Sequence, residues 1–124
     1  MIIEDIFKTS KIHSCSIIYP VDVMVGKNLE DISQVKELHE VTDDDLILDI
    51  GPKTIKKINR IIEISKTVLW NGPAGYFENE NFAKGSYEIA KKITEQNKNN
   101  SIYSVVGGGD TIAVLNQINI LNEF

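Results

Sequence analysis

One cysteine, Cys15, is all the thiol chemistry these 124 residues hold. No internal disulfide can close, which fits a reducing compartment. Cys15 stands between Ser14 and Ser16 in an apolar stretch, where a buried structural thiol is the expected role. The sequence has only two histidines, His13 and His39. Both lie far from any glycine-rich turn, so structural roles are expected, and no ligand spacing suits zinc. Runs of basic residues are lacking and the formal charge is −5, which argues against a nucleic-acid groove. No apolar run approaches the roughly 20 residues that span a bilayer. The start, Met1-Ile2-Ile3-Glu4-Asp5, has neither the basic opening of a secretory leader nor the acid-poor character of a transit peptide. The expectation is a soluble cytoplasmic protein without nucleic-acid or membrane partners.

What is present is ordinary for a soluble globule: 42% hydrophobic and 25% charged residues, enough for one domain or less. Short β-branched runs alternate with longer amphipathic stretches. Ser16–Tyr19 reads as a strand stopped by Pro20, Val21–Val25 as a second extended piece and Val35–His39 as a short strand. Leu46–Ile50 is an apolar run broken by one acid, the pattern of a strand covered on both faces. After Gly51-Pro52, Ile55, Ile58, Ile61 and Ile62 fall on one helical face, with Lys56, Lys57 and Arg60 outside. Thr67–Trp70 is the next strand, and residues from 82 or 83 to Gln96 form a helix carrying Ala83, Tyr87 and Ala90 on one side. Ile102–Val106 reads as a buried strand and Thr111–Gln117 as a last short helix. This order predicts an α/β fold, a Rossmann-like three-layer parallel sheet. The chain stops at Leu121–Phe124 without a closing strand or helix, which reads as an incomplete fold with apolar faces uncovered.

Ligands of open α/β sheets bind beyond the carboxyl ends of the strands, and three turns occupy that position. In Gly107-Gly108-Gly109-Asp110-Thr111 the absence of side chains lets backbone N–H groups approach an anion, and the following helix start adds unpaired donors. Asp110 or Thr111 as a simple helix cap is the rival reading, but three glycines exceed what a cap needs. An acid beside a bound anion implies a cation between them, which points to Mg²⁺. The second turn is Asn71-Gly72-Pro73-Ala74-Gly75-Tyr76-Phe77-Glu78. Asn-Gly suggests a hairpin, yet Pro73 follows at once and no returning strand is evident. Glu78 reads either as a solvated acid of the first helical turn or as a partner for a ribose hydroxyl. The residues alone leave both open. The third, Asp49–Pro52, reads as a structural strand-to-helix turn. None is a P-loop, and the glycine spacing excludes a dinucleotide fingerprint.

Taken together, Trp70-Asn71-Gly72-Pro73-x-Gly75-x-Phe77-Glu78, then Phe82-Ala83-Lys84-Gly85, then Val106-Gly107-Gly108-Gly109-Asp110-Thr111 resemble phosphoglycerate kinase. Tyr19–Val23 and Leu48–Pro52 match upstream, so the resemblance runs from about residue 5 to 124. It implies residues 1–124 are a partial C-terminal, nucleotide-binding domain of a two-domain kinase. The substrate domain and the final glycine-rich loop and helix would lie outside the chain. It further implies ADP or ATP as substrate with Mg²⁺. Asn71, Gly72 and Pro73 would line the nucleotide site, Glu78 would bind the ribose, and Gly107, Gly108, Gly109, Asp110 and Thr111 would form the phosphate loop with Asp110 towards the metal. The family moves a phosphoryl group between 1,3-bisphosphoglycerate and ADP. Its basic phosphoglycerate ligands and its nucleotide-phosphate lysine have no counterpart here, so no catalytic residue is assigned and the chain alone is expected to be inactive. Isoleucine at 47 departs from the glycine that many members place against adenine. A separately encoded remainder, a non-catalytic nucleotide-binding module, or the product of a split or decaying gene would each account for such a chain.

Overall fold

Proline and acid placement start the first clear elements. The computed structural model describes residues 1–99 and 101–124. Pro20 precedes β1 (Asp22–Gly26), which pairs antiparallel with β2 (Gln34–Glu37) on one side and β3 (Leu46–Ile50) on the other. Asp45 fastens the β2–β3 connection. Its carboxylate accepts from Lys27 Nζ at 2.8 Å, from Lys36 Nζ at 2.7 Å and from the Thr42 amide at 2.9 Å, and these partners hold it far below the usual carboxylate range. From Pro52, at the first helical position where its missing N–H costs nothing, α2 runs to Ile64. The chain continues through β4 (Thr67–Asn71), α3 (Lys84–Lys98), β5 (Tyr103–Gly107) and α4 (Gly109–Gln117).

The fold is α/β, with β4 and β5 paired parallel across the α3 crossover. A parallel pair needs such a crossover, so the hairpin reading of Asn71-Gly72 is excluded. The three earlier strands form their own antiparallel sheet, ordered β2-β1-β3: the short 26–34 link suits the antiparallel β1–β2 pair, and the 37–46 link carries the chain past β1 to β3. Ile62, Trp70, Phe77, Ala83, Ile89, Ala90, Ile93, Val114 and Leu115 make the core, which joins α2, β4, α3 and α4.

Several sequence expectations change. Ser16–Tyr19 is irregular rather than a strand. Leu46 and Ile47 are exposed, Ile47 by 57%, so the start of β3 is uncovered rather than buried on both faces. Likewise Tyr103 and Val105 face outward on β5. Cys15 is exposed rather than buried, because the segment around it lies outside any sheet. A helix that periodicity had not singled out, α1 (Ile2–Ile12), opens the chain with no buried residue and with Ile2, Ile3 and Ile6 exposed. Among the described residues no helix is long and apolar enough to cross a membrane.

Candidate functional site

Two parallel strands ending level with one another place two loops side by side. The register runs from Thr67 opposite Tyr103 to Asn71 opposite Gly107. Beyond it, Gly108 takes φ +91° as the residue preceding α4, and Gly72 takes φ +101°. Both are left-handed conformations that glycine adopts without steric cost. The Gly72 N–H donates to Thr111 Oγ1 at 2.8 Å, with Thr111 fully buried. This one bond ties the second turn to the glycine run.

Asp110 and Thr111 lie inside the first turn of α4, and no side chain caps the helix. The simple-cap reading therefore fails. The Gly109, Asp110 and Thr111 amides have no intrahelical acceptor and gather at the positive end of the helix. A Cβ on Gly108 would stand 2.9 Å from Asn71 Oδ1, whereas one on Gly109 would meet open space. The first glycine is thus required by its neighbours, and the second leaves an unobstructed approach to the backbone. Such a helix start suits an oxyanion.

From Gly72 the chain crosses to the other sheet. The Ala74 amide donates to Ser86 Oγ at 2.9 Å, and the Tyr76 amide to the Leu48 carbonyl at 2.7 Å. A groove of about 380 Å³ opens there, lined by Pro20, Ile47, Leu48, Pro73, Gly75 and Tyr76 among others. Asn79 anchors the end of the turn, its side-chain amide donating to the carbonyls of Leu29 and Asp31. Asn71, Gly72, Gly107, Gly108 and Thr111 are therefore brought together, and Pro73 borders the groove. Gly109 and Asp110 are exposed at the helix start, and Glu78 is exposed towards the end of the turn. Among the described residues no three His, Cys, Asp or Glu side chains cluster as a metal site. Asp110 would offer a cation one protein oxygen, leaving phosphate oxygens and water for the rest. That donor set is acceptable to Mg²⁺.

Two buried acids that frame this region escaped the sequence reading. The Asp22 carboxylate accepts from the Lys53 and Thr54 amides at 2.9 and 2.8 Å and from the Thr54 hydroxyl at 2.7 Å. Burial alone would raise its pKa, but these donors together hold it below the ordinary value. Asp49, in the turn read as merely structural, accepts from the Gly85 and Ile50 amides. Its carboxylate fills the space a Cβ on Gly75 or Gly85 would need. The legible signal was an acid interrupting an apolar strand with glycines opposite.

Burial pushes Asp49 up to about 6, against the pull of those two amides. A raised folded-state pKa means the native state holds the proton longer than the unfolded chain. Stability is therefore greatest below the unfolded value near 3.8 and falls as pH rises through 6, by about 3 kcal/mol from this group. The midpoint of urea unfolding should rise as pH drops from 7 towards 5, and Asp49→Asn should flatten that slope. A wild-type profile flat over this range would rule the effect out.

Comparison with known proteins then decides the family. The model of the phosphoglycerate kinase family matches residues 1–124. The chain belongs to the phosphoglycerate kinase family. Curated phosphoglycerate kinases of Wolbachia pipientis subsp. Culex pipiens and Buchnera aphidicola subsp. Schizaphis graminum are 37% and 44% identical to it, covering 98% and 87% of the chain. The solved phosphoglycerate kinase of Coxiella burnetii superposes with a TM-score of 0.90 at 32% identity over 98% of the chain. The chain spans about 31% of the length of the Wolbachia and Coxiella phosphoglycerate kinases and 27% of the Buchnera one.

Proposed function

We propose that this chain supplies part of the Mg·nucleotide site of a phosphoglycerate kinase. It would serve phosphoryl transfer between 1,3-bisphosphoglycerate and ADP only together with further segments of that family's chain. The observation that carries this reading is the Gly72–Thr111 hydrogen bond. It holds two loops at the carboxyl ends of adjacent parallel strands and leaves the first amides of α4 free. Gly107, Gly108, Gly109, Asp110 and Thr111 would receive the nucleotide phosphates, with Asp110 directed towards Mg²⁺. Asn71, Gly72 and Pro73 would line the nucleotide, with Glu78 at the ribose. The metal would neutralise phosphate charge, while the amides hold the phosphates in place, since such transfers rest on positioning and electrostatics. The exposed apolar face of α1, with the outward residues of β3 to β5, would be covered by those further segments, encoded with this chain or apart from it. A soluble cytoplasmic setting follows from the same reading.

Titrating Mg·ADP into ¹⁵N-labelled protein should shift the amides of residues 71–73, 78 and 107–111 together. Unmoved signals in both loops would reject the site. Thr111→Val should remove the shared response of the two loops and lower stability by about 1 kcal/mol, because the exposed Gly72 N–H loses this acceptor. A coupled assay for ATP formation should read no turnover from the chain alone. Turnover by the chain alone would contradict the proposal of dependence on further segments, and turnover in mixture with the missing portion of a family member would support it.

A further inference from the structure

The α2–α3 groove gathers positive charge on a chain that is acidic as a whole. Its volume is about 450 Å³, and its residues belong neither to the 71–78 turn nor to the glycine loop. Lys56, Asn59 and Arg60 line it from α2, Lys84 and Lys92 from α3. The two acids at its edge are engaged: Glu63 accepts from Lys92 Nζ at 2.9 Å, and Glu88 faces Lys91 Nζ at 3.5 Å. Lys56, Arg60 and Lys84 take part in no ion pair among the described residues, on a chain of net charge −5.

Asn59 sharpens the pattern. Its Oδ1 is buried and has no hydrogen-bond partner among the described residues, an unfavourable arrangement. With that oxygen turned inward, the amide nitrogen is the polar end Asn59 has left for the groove. The groups of the groove that carry charge without an ion pair among the described residues are then two ammonium groups and a guanidinium. Helix residues at i and i+4, such as Lys56 with Arg60, share one face, so these donors converge rather than spread. Arg60 contributes a planar fork suited to phosphate or carboxylate oxygens.

The geometry points to a second anion site, distinct from the glycine loop, that takes a compact multiply charged oxyanion such as a diphosphate or a tricarboxylate. Three unpaired cations match about three negative charges, and attraction among partly exposed groups is screened by salt. Inorganic pyrophosphate and citrate are the probes, with sulfate as the less charged control. In ¹⁵N-labelled protein at low ionic strength, pyrophosphate or citrate should produce saturable shifts at residues 56–60 and 84–88 and at the Asn59 side-chain amide. Half-saturation should come at roughly tenfold lower concentration than with sulfate, equivalent to about 1.4 kcal/mol. A response to one probe and not the other identifies which oxyanion geometry fits. Arg60→Gln with Lys84→Gln, both at exposed positions, should weaken binding at least tenfold while leaving shifts at 107–111 unchanged. Asn59→Ala should weaken it severalfold. The proposal is overturned if shifts at 56–60 and 84–88 grow linearly without saturating. It is equally overturned if they appear only at 107–111, or if the double substitution leaves them as they were.

Discussion

Phe82→Ala is expected to cost about 3–5 kcal/mol, the range for emptying a fully buried aromatic site. Phe82 has no exposed surface and closes the short turn that leads into α3. Its ring reaches β1, since a Cβ on Gly26 would stand 2.9 Å from Phe82 Cζ. The ring thus joins the antiparallel sheet to the start of the helix that crosses between β4 and β5. The ring is fully enclosed, so its removal leaves a cavity. For a chain of this length the loss corresponds to roughly 12–19 °C in Tm. Phe82→Leu should recover most of it. A Tm change of only a few degrees for the alanine variant would show that the ring is not a structural wedge.

Asp22→Ala should be the next most damaging change, at about 3–4 kcal/mol. It strips acceptors from the Lys53 and Thr54 amides and from the Thr54 hydroxyl. Two of these are orphan donors at the start of α2, each costing about 1–3 kcal/mol when left buried and unpaired. The carboxylate also lies at the positive end of that helix, and it occupies the space a Cβ on Gly51 would fill. Asp22→Asn separates charge from hydrogen bonding and should cost less. Because the folded-state pKa is depressed, stability due to Asp22 is present above the unfolded value near 3.8 and is lost as pH falls through the lower folded value. Asp22 and Asp49 therefore oppose each other, and their combined stability contribution should peak on the acid side of neutrality. Urea melts of both alanine variants across pH 3–7 would check the sign of each.

The helical periodicity of Ile55, Ile58 and Ile62 and the Gly–Pro boundary before them were enough to locate α2, because that signal is local. The two loops were equally legible: glycines at positive φ leave their mark in composition, and Gly72 and Gly108 do adopt such angles. Strand direction was not legible. Nothing in Val21–Val25 or Leu46–Ile50 states whether its partner runs parallel, and only the short connections between them bear on it. Outward-facing Leu46, Ile47, Tyr103 and Val105 misled because an apolar run is indifferent to whether anything covers it. The buried acids were missed for a different reason. Asp22 draws its donors from 31 and 32 residues away and Asp49 one of its two from 36, and separations of that size carry no periodic trace.

The Tyr76–Leu48 bond, one of several links between two sheets that share no strand pairing, has a dynamic consequence. The β2-β1-β3 sheet and the β4–α3–β5 unit share no strand pairing among the described residues, so they part through side-chain and loop contacts alone, which local opening can break at less than the global free energy. Deuterium uptake should then come in two phases, with the Tyr76 amide released at whichever opening is easier. That amide would act as a latch whose exchange rate reports the parting of the two halves before either has melted.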